Sequence, residues 1–481
     1  MACFRTFAGL FFFIVLFVSS TAFASPYLSM EPSATGENIS CTEDGTGFTD
    51  VVSGQLYWSE NFLSFGSSTD YIVQFGCRYV GNGNGVAELA TSDSWRHTYS
   101  FNITYNPGVS LSLTTAWGTV IPFTFAGGST WNSQPGYGVY LSCVVNPNSF
   151  TLTDKHGNWV EFDSQGRPVT IGDYHSPNTI TLAYYTQGIP TGLLWTVTDS
   201  WGRQIELQYD ASARLTNVLD QTQGAPAPTW LLIAYTGNNL TSLRTGYSTG
   251  ATFATRSFDY NVQPQLVSYI DPDGILTTFS WTGIQHTLAT DAATNTWGFS
   301  YSAGSTDVTD RRGTTYTYYY DTSTPPCITQ ISYPAPLPGG STATESWTYN
   351  ASREPLTHIN RRGFSTIYTW DAMGNKLTST GPAGYNYIWS WTYTAANFVA
   401  TETDPNSNVT TYQYDGSNRL WRIVHADDSP ANPTHPEVYQ YNGNSLLSSY
   451  TDPNGGTDSY LYDPNGNVSS TTVSPDGGTT L

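Results

Sequence analysis

Five segments of this chain place an Asp or Asn eleven residues before a second Asp, at 199/210, 310/321, 360/371, 404/415 and 452/463. They read DSWGRQIELQYDASARL (199–215), DRRGTTYTYYYD (310–321), NRRGFSTIYTWDAMGNKL (360–377), DPNSNVTTYQYDGSNRL (404–420) and DPNGGTDSYLYDPNGNV (452–468). A fixed interval of eleven leaves room for one strand of about seven residues between two tight turns. Weaker copies start at Asp271 and Asp291, and partial ones end at Tyr235, Tyr260, Tyr349, Tyr393 and Tyr441. From Tyr209 to Tyr462 the aromatic returns every 19 to 29 residues, one β-hairpin per unit. A lone hairpin is marginally stable, so such a chain folds only by stacking many of them.

The chemistry of one unit accounts for its residues. The first Asp can bond its own backbone two residues on, and a Gly three residues later (Gly202, Gly313, Gly363, Gly455) supplies the positive φ of a type I turn with a bulge. In the strand, Tyr316, Tyr318 and Tyr320 share one face, and Tyr412/Tyr414 and Tyr460/Tyr462 repeat the pairing. The structural motif residues are Tyr209, Asp210, Tyr320, Asp321, Trp370, Asp371, Gly374, Tyr414, Asp415, Tyr462, Asp463 and Gly466.

Composition agrees with an all-β reading. There are only 2 Lys among 481 residues, charged residues make up 11%, and aromatics reach 15%. Exposed helix faces need Lys and Glu, whereas this chain is rich in strand and turn formers. So many aromatics also argue against disorder. A formal charge of −20 argues against a phosphate-binding surface, so no nucleic-acid partner is expected.

Met1 to Ala24 reads as a signal peptide: Arg5, the apolar run Leu10 to Val18, then Ala22-Phe23-Ala24 before Ser25. Nine apolar residues are too few to span a bilayer, and no later segment approaches the length a spanning helix needs. The chain is therefore expected to be secreted or attached to the cell surface. Cys41, Cys77, Cys143 and Cys327 remain after cleavage, and one or two disulfides are expected among three connectivities. Residues 25–150 read as a β-rich lead-in and 151–481 as the hairpin array.

The Tyr-Asp-x-x-Gly-Asn/Arg-Leu grammar, with Asp-Pro-x-Gly turns between units, resembles the Rhs (rearrangement hotspot) or YD-repeat family. Tyr414-Asp415-Gly-Ser-Asn418-Arg419-Leu420, Trp370-Asp371-Ala-Met-Gly374-Asn375-Lys-Leu377 and Tyr462-Asp463-Pro-Asn-Gly466-Asn467-Val468 carry the resemblance. Upstream, Ser94-Trp95-Arg96-His97-Thr98-Tyr99 resembles the Trp-Arg-His-x-Tyr element that precedes such repeats, and 152–169 resembles a first shortened unit. The resemblance spans about residues 90–481. It implies a long sheet spiralling into a hollow shell that encloses a toxin, or a cell-surface adhesion role as in the teneurins. It implies no catalytic residues and no cofactor. No counterpart of the family's core-closing, self-cleaving element or toxin tail is found. After Val468 only Val473 and Leu481 are large and apolar, so the reading expects a partial shell that needs a continuation or partner.

Other motifs read as structure. Gly246-Tyr-Ser248-Thr-Gly250 matches a nucleophile elbow, but strand-like residues follow where a helix is required. The Asp/Asn turns lack the Gly and Glu that complete a calcium loop, and Gly81 to Gly85 has no following Lys for a phosphate loop. The seven His show no metal-ligand spacing, so no metal is expected. Two rivals stay open beside a non-catalytic scaffold: a surface whose aromatics stack on sugars, and a secreted glycan hydrolase using paired carboxylates.

Overall fold

Among the described residues, alternation and turn chemistry produce thirty-nine strands and no helix. The computed structural model describes residues 38–40, 47–64 without 52 and 54, 74–80, and 95–474 apart from 138, 189–190, 223–228, 247–253, 335–341, 386 and 432. The proposed signal peptide, Cys41, Gly81–Gly85, Ser248 and 475–481 lie outside the described residues.

Thirty-four strands, from Asn102–Asn106 to Val468–Ser474, form one long antiparallel sheet in which each strand pairs with the next in chain order. The sheet winds rather than closing into a barrel. It begins at Asn102, so the strand array already takes in the end of what the sequence assigns to a lead-in, residues 102–150. Five further strands, Asn38–Ser40, Gly47–Asp50, Leu56–Ser64, Gln74–Val80 and Trp95–His97, make a small separate sheet.

The small sheet packs against the inner face of the long one. Trp58 and Trp95 meet Phe258 edge-on at 5.0 and 4.9 Å between centroids. The Trp95 indole N–H donates to the Tyr260 hydroxyl (2.7 Å), and the Leu266 amide donates to the Tyr79 hydroxyl (3.0 Å). Thr306 Oγ1 donates to the Val51 carbonyl (2.6 Å). Burying two indoles and a phenol in this way contributes several kcal/mol of hydrophobic stabilisation, about 1.5–3 kcal/mol for each large side chain. The Trp-Arg-His-x-Tyr element therefore works as a buried anchor: Trp95, Arg96, His97, Thr98 and Tyr99 are all buried.

Winding brings distant turns together along a seam. Turn tips at 154–158, 173–176 and 199–202 in the first winding meet tips at 371–375, 394–397, 415–418, 442–445 and 463–466 in the second. The Lys155 ammonium donates to Asn375 Oδ1 (2.9 Å), and Asn397 Nδ2 donates to the Lys155 carbonyl (2.7 Å). Asn178 Nδ2 donates to the Asn444 carbonyl (3.0 Å).

Two disulfides are ruled out, while Cys41 lies outside the described residues. Cys143 and Cys327 are buried free thiols. Cys143 stands in the core face opposite Trp131 and Leu152, and burial pushes its thiol up to about 12. Apolar packing rather than bridging explains its place. Cys77 is buried in the small sheet.

Candidate functional site

Every motif aspartate sits at a turn tip and is consumed there. Oδ1 of Asp210, Asp371, Asp415 and Asp463 accepts the amides two and four residues on. Oδ2 accepts the side chain of the fourth residue: Arg214 Nε (2.8 Å), Asn375 Nδ2 (2.9 Å), Arg419 Nε (2.7 Å) and Asn467 Nδ2 (3.1 Å). This is why the motif asks for Asn or Arg at that position. Asp321 differs, holding the Ser323 and Cys327 amides and an ion pair with Arg353 (2.9 Å). Partial burial opposes ionisation of Asp210, Asp371, Asp415 and Asp321, but the donors around them prevail and hold these carboxyls below the usual range. Such groups cannot serve as the raised-pKa acid that glycoside hydrolysis requires.

The motif aromatic clasps the preceding hairpin. The hydroxyls of Tyr209, Tyr414 and Tyr462 donate to the carbonyls of Leu194, Val399 and Leu447 at 2.9, 2.9 and 2.7 Å. Tyr320 reaches Ser302 (3.2 Å). Where the sequence substitutes Trp, the indole N–H takes over: Trp370 to Pro355 (2.7 Å) and Trp281 to Leu266 (2.8 Å). The position therefore demands a long aromatic with a donor at its tip. A register shift precedes the aromatic in each case, between Gln208/Tyr209, Thr369/Trp370, Gln413/Tyr414 and Leu461/Tyr462. The turns of the opposite rim keep the expected type I turn with a bulge: the Gly202, Gly313, Gly363 and Gly455 amides donate to the carbonyls of Asp199, Asp310, Asn360 and Asp452, and all four glycines have positive φ. Arg214 and Arg419 then lie over the next unit's Tyr235 and Tyr441 at 4.8 and 4.7 Å, linking unit to unit.

Gly374 and Gly466 are required at the seam. Their φ values are 66° and 78°, and a Cβ would stand 2.2 Å from Tyr140 Cε2 or 2.9 Å from Trp201 Cε2.

The register identifies the surface left over. Following cross-strand partners from the buried Phe258 through Tyr269, Phe279, Phe299, Val308, Tyr318 and Ile331, the same face continues into Glu345, Trp347, His358, Tyr368, Trp391, Glu402, Tyr412, Glu437, Tyr450 and Tyr460. In this second stretch the large side chains are mostly half-buried. The Trp391 indole donates to Glu402 Oε2 (3.0 Å), and Glu437 accepts from Tyr439 (2.8 Å), Tyr450 (3.2 Å) and His425 Nε2 (2.9 Å). Burial, reinforced by Glu437, pushes the Tyr450 phenol up to about 12. Trp347 stacks on His358 at 5.0 Å and 5°. The wall is aromatic and acidic.

Sequence reasoning located the motif residues at the turns but missed this acidic wall. Its signal was present as Glu or Asp two residues from an inward aromatic (Glu345/Trp347, Glu437/Tyr439, Asp458/Tyr460), legible only once strand register is known. Among the described residues no cluster of three metal-ligating side chains occurs. No helix among them is long and apolar enough to cross a membrane, which says nothing of a β-barrel.

The RHS Repeat family model matches residues 387–429 and 441–479, units in which the capped Asp and the tyrosine clasp recur. The chain carries Rhs repeats over those residues. No curated protein matches the chain. Among solved structures, the Rhs-repeat chain is similar to a TcdB2–TccC3–Cdc42 crystal structure at 12% identity and TM-score 0.41, covering 90% of this chain and 30% of that one. It is similar to the Tc holotoxin pore of Photorhabdus luminescens at 11% identity and TM-score 0.37, covering 89% and 25%. A porin-like protein of Bacteroides uniformis matches at 13% identity and TM-score 0.15 over 48% of this chain. The Rhs-repeat chain spans less than a third of the length of those two toxin structures.

Proposed function

We propose that this chain is a non-catalytic, exported wall of an Rhs-type shell that encloses a polypeptide cargo such as a toxin, at or outside the cell surface. One observation carries the reading. The inner face from Ala343 to Ser474 continues the core face, yet among the described residues of this segment only Ile423, Val424, Tyr439 and Leu446 are buried apolar side chains, and Val424 alternates to the face opposite Ile423. A sheet face this rich in half-buried aromatics is one that another chain covers. The similarity to toxin structures agrees with the reading without carrying it. Export rests on the sequence of Met1 to Ala24.

Protease protection tests it. The protein is isolated together with its natural continuation or the product encoded beside it, then digested before and after unfolding. A non-shell fragment that survives only while the shell is folded supports enclosure, and its absence overturns it.

Adhesion to glycans is a second reading with one observation behind it. Tyr385 and Tyr387 are 60% and 54% exposed, with rings parallel within 8° at 6.0 Å. Paired flat rings of this kind stack on sugars. A glycan array with the Tyr385→Ala/Tyr387→Ala protein as control decides it, and no saccharide binding dismisses it.

A further inference from the structure

The seam between the two windings holds two imidazoles around one ring. Phe398, in the second winding, packs between His156 and His175 of the first, at 5.0 Å from each ring centroid. Phe398 in turn rests on Tyr414 at 5.3 Å. His175 Nδ1 donates to the Ser417 carbonyl (3.0 Å), and Ser445 Oγ donates to the His175 carbonyl (3.3 Å), so both windings are tied at this point.

His156 is the weak member. One of its ring nitrogens bonds the Ala396 backbone, while Nδ1 is buried with no hydrogen-bond partner. In the neutral ring Nδ1 is a bare lone pair, which apolar surroundings tolerate at modest cost. Protonation would create an N–H there with no acceptor, inside a contact that excludes water.

We propose that the His156–Phe398–His175 cluster is an acid-sensitive latch, closed at neutral pH and released when His156 takes up a proton. The groups facing His156 are known. On its own turn Asp154 favours the charged form and Lys155 opposes it; from the adjoining turn His175 opposes it. Asp173, beside His175, already accepts the His175 and Ser176 amides. From the second winding come the backbone of Ala396, the ring of Phe398 and the amide of Asn397, while Asp371 acts on Lys155. Asp154 is itself engaged by the His156 and Asn158 amides and by Asn158 Nδ2. Burial leads this balance and holds His156 below its ordinary value. An opened seam restores the ordinary imidazole pKa and binds more protons, so the closed form is favoured above about pH 6.5 and loses ground as pH falls below it.

Mass-spectrometric hydrogen exchange on the full chain tests the latch, with rates corrected for the intrinsic effect of pH. Between pH 8 and pH 5 the peptides covering 154–178, 394–398 and 415–419 should lose protection, while hairpins away from the seam, such as 271–300, should not. His156→Phe keeps an aromatic against Phe398 and cannot titrate, so its seam should stay protected at pH 5. Should that variant already be loose at pH 8, His156→Gln provides the same comparison. Unchanged wild-type protection at pH 5, or equal loss in wild type and the non-titrating variant, overturns the latch.

Discussion

The two halves of the long sheet are built from the same hairpin and end up as different materials. Through Ile331 the inner face is filled: Val197, Ile205, Leu207, Leu215 and Leu243 are at most 1% exposed, and the small sheet seats its indoles against Phe258 and Tyr269. From Ala343 onward the same face carries Trp, Tyr and Glu that remain half-buried. Turn caps and aromatic clasps recur in both halves. What holds a hairpin to its neighbour is thus separable from what fills the interior, and only the first is needed for a wall.

That separation can be broken experimentally. Trp95→Ala should destabilise the filled half by about 3–5 kcal/mol, as large aromatic truncations in cores do. Trp391→Ala on the open wall should cost less than about 2 kcal/mol. Equal shifts in the denaturant midpoint would show that the second half is filled after all.

A proton distinguishes the halves next. His286 is fully buried beneath the small sheet, bonded through Nδ1 to the Thr49 hydroxyl (2.8 Å), and burial lowers it to about 4. A histidine depressed on folding contributes stability that is complete above its unfolded value of about 6.5 and is lost as pH falls toward the folded one. The filled half should therefore weaken by about 3 kcal/mol between pH 7 and pH 4. In a denaturation series His286→Gln should flatten that slope.

Smaller effects test the wall shared by both halves. Gly374→Val should cost about 1–3 kcal/mol in backbone strain alone, with the Tyr140 clash added. Thr378→Val, which loses one hydroxyl contact to Thr369 (2.7 Å) on the outer face, should fall within about 1 kcal/mol. Similar melting temperatures would show that the turn is not strained. Smallest is Tyr414→Phe, which keeps the ring and removes the bond to Val399, at about 1 kcal/mol. Trp370→Tyr should be milder than Trp370→Phe, and the reverse order would dismiss the clasp.

Much of this was legible in the sequence because the turns are local. Asp415 caps residues two and four positions away, so spacing alone places it. The all-β class likewise follows from repeated hairpins, whereas the spiral was only what the family resemblance implied. Tyr414 could be placed from the sequence only on the same strand face as Tyr412. Its true partner is fifteen residues back, on a strand whose register the bulge resets. Lys155 and Asn397 are 242 residues apart and carry no mark in either segment, since the winding diameter alone decides that they meet. Cys143 was one of four cysteines left open to bridging, because spacing shows neither its burial nor its apolar neighbours Trp131 and Leu152.

The meshing of turn tips gives the wall an arithmetic of its own. Lys155 bonds side chains from two successive tips of the second winding, at Asn375 and Asn397, as a cog sits between two teeth. Twenty-one strands separate the tip at 154–158 from the one at 394–397, an odd number, so opposite rims always face each other. Gaining or losing a whole hairpin preserves that parity and lets the rims mesh again one tooth along. Gaining a single strand would set like rims together and misplace every asparagine and lysine of the joint. The winding can therefore change girth only in steps of two strands, which makes the hairpin the smallest change of circumference it can accommodate.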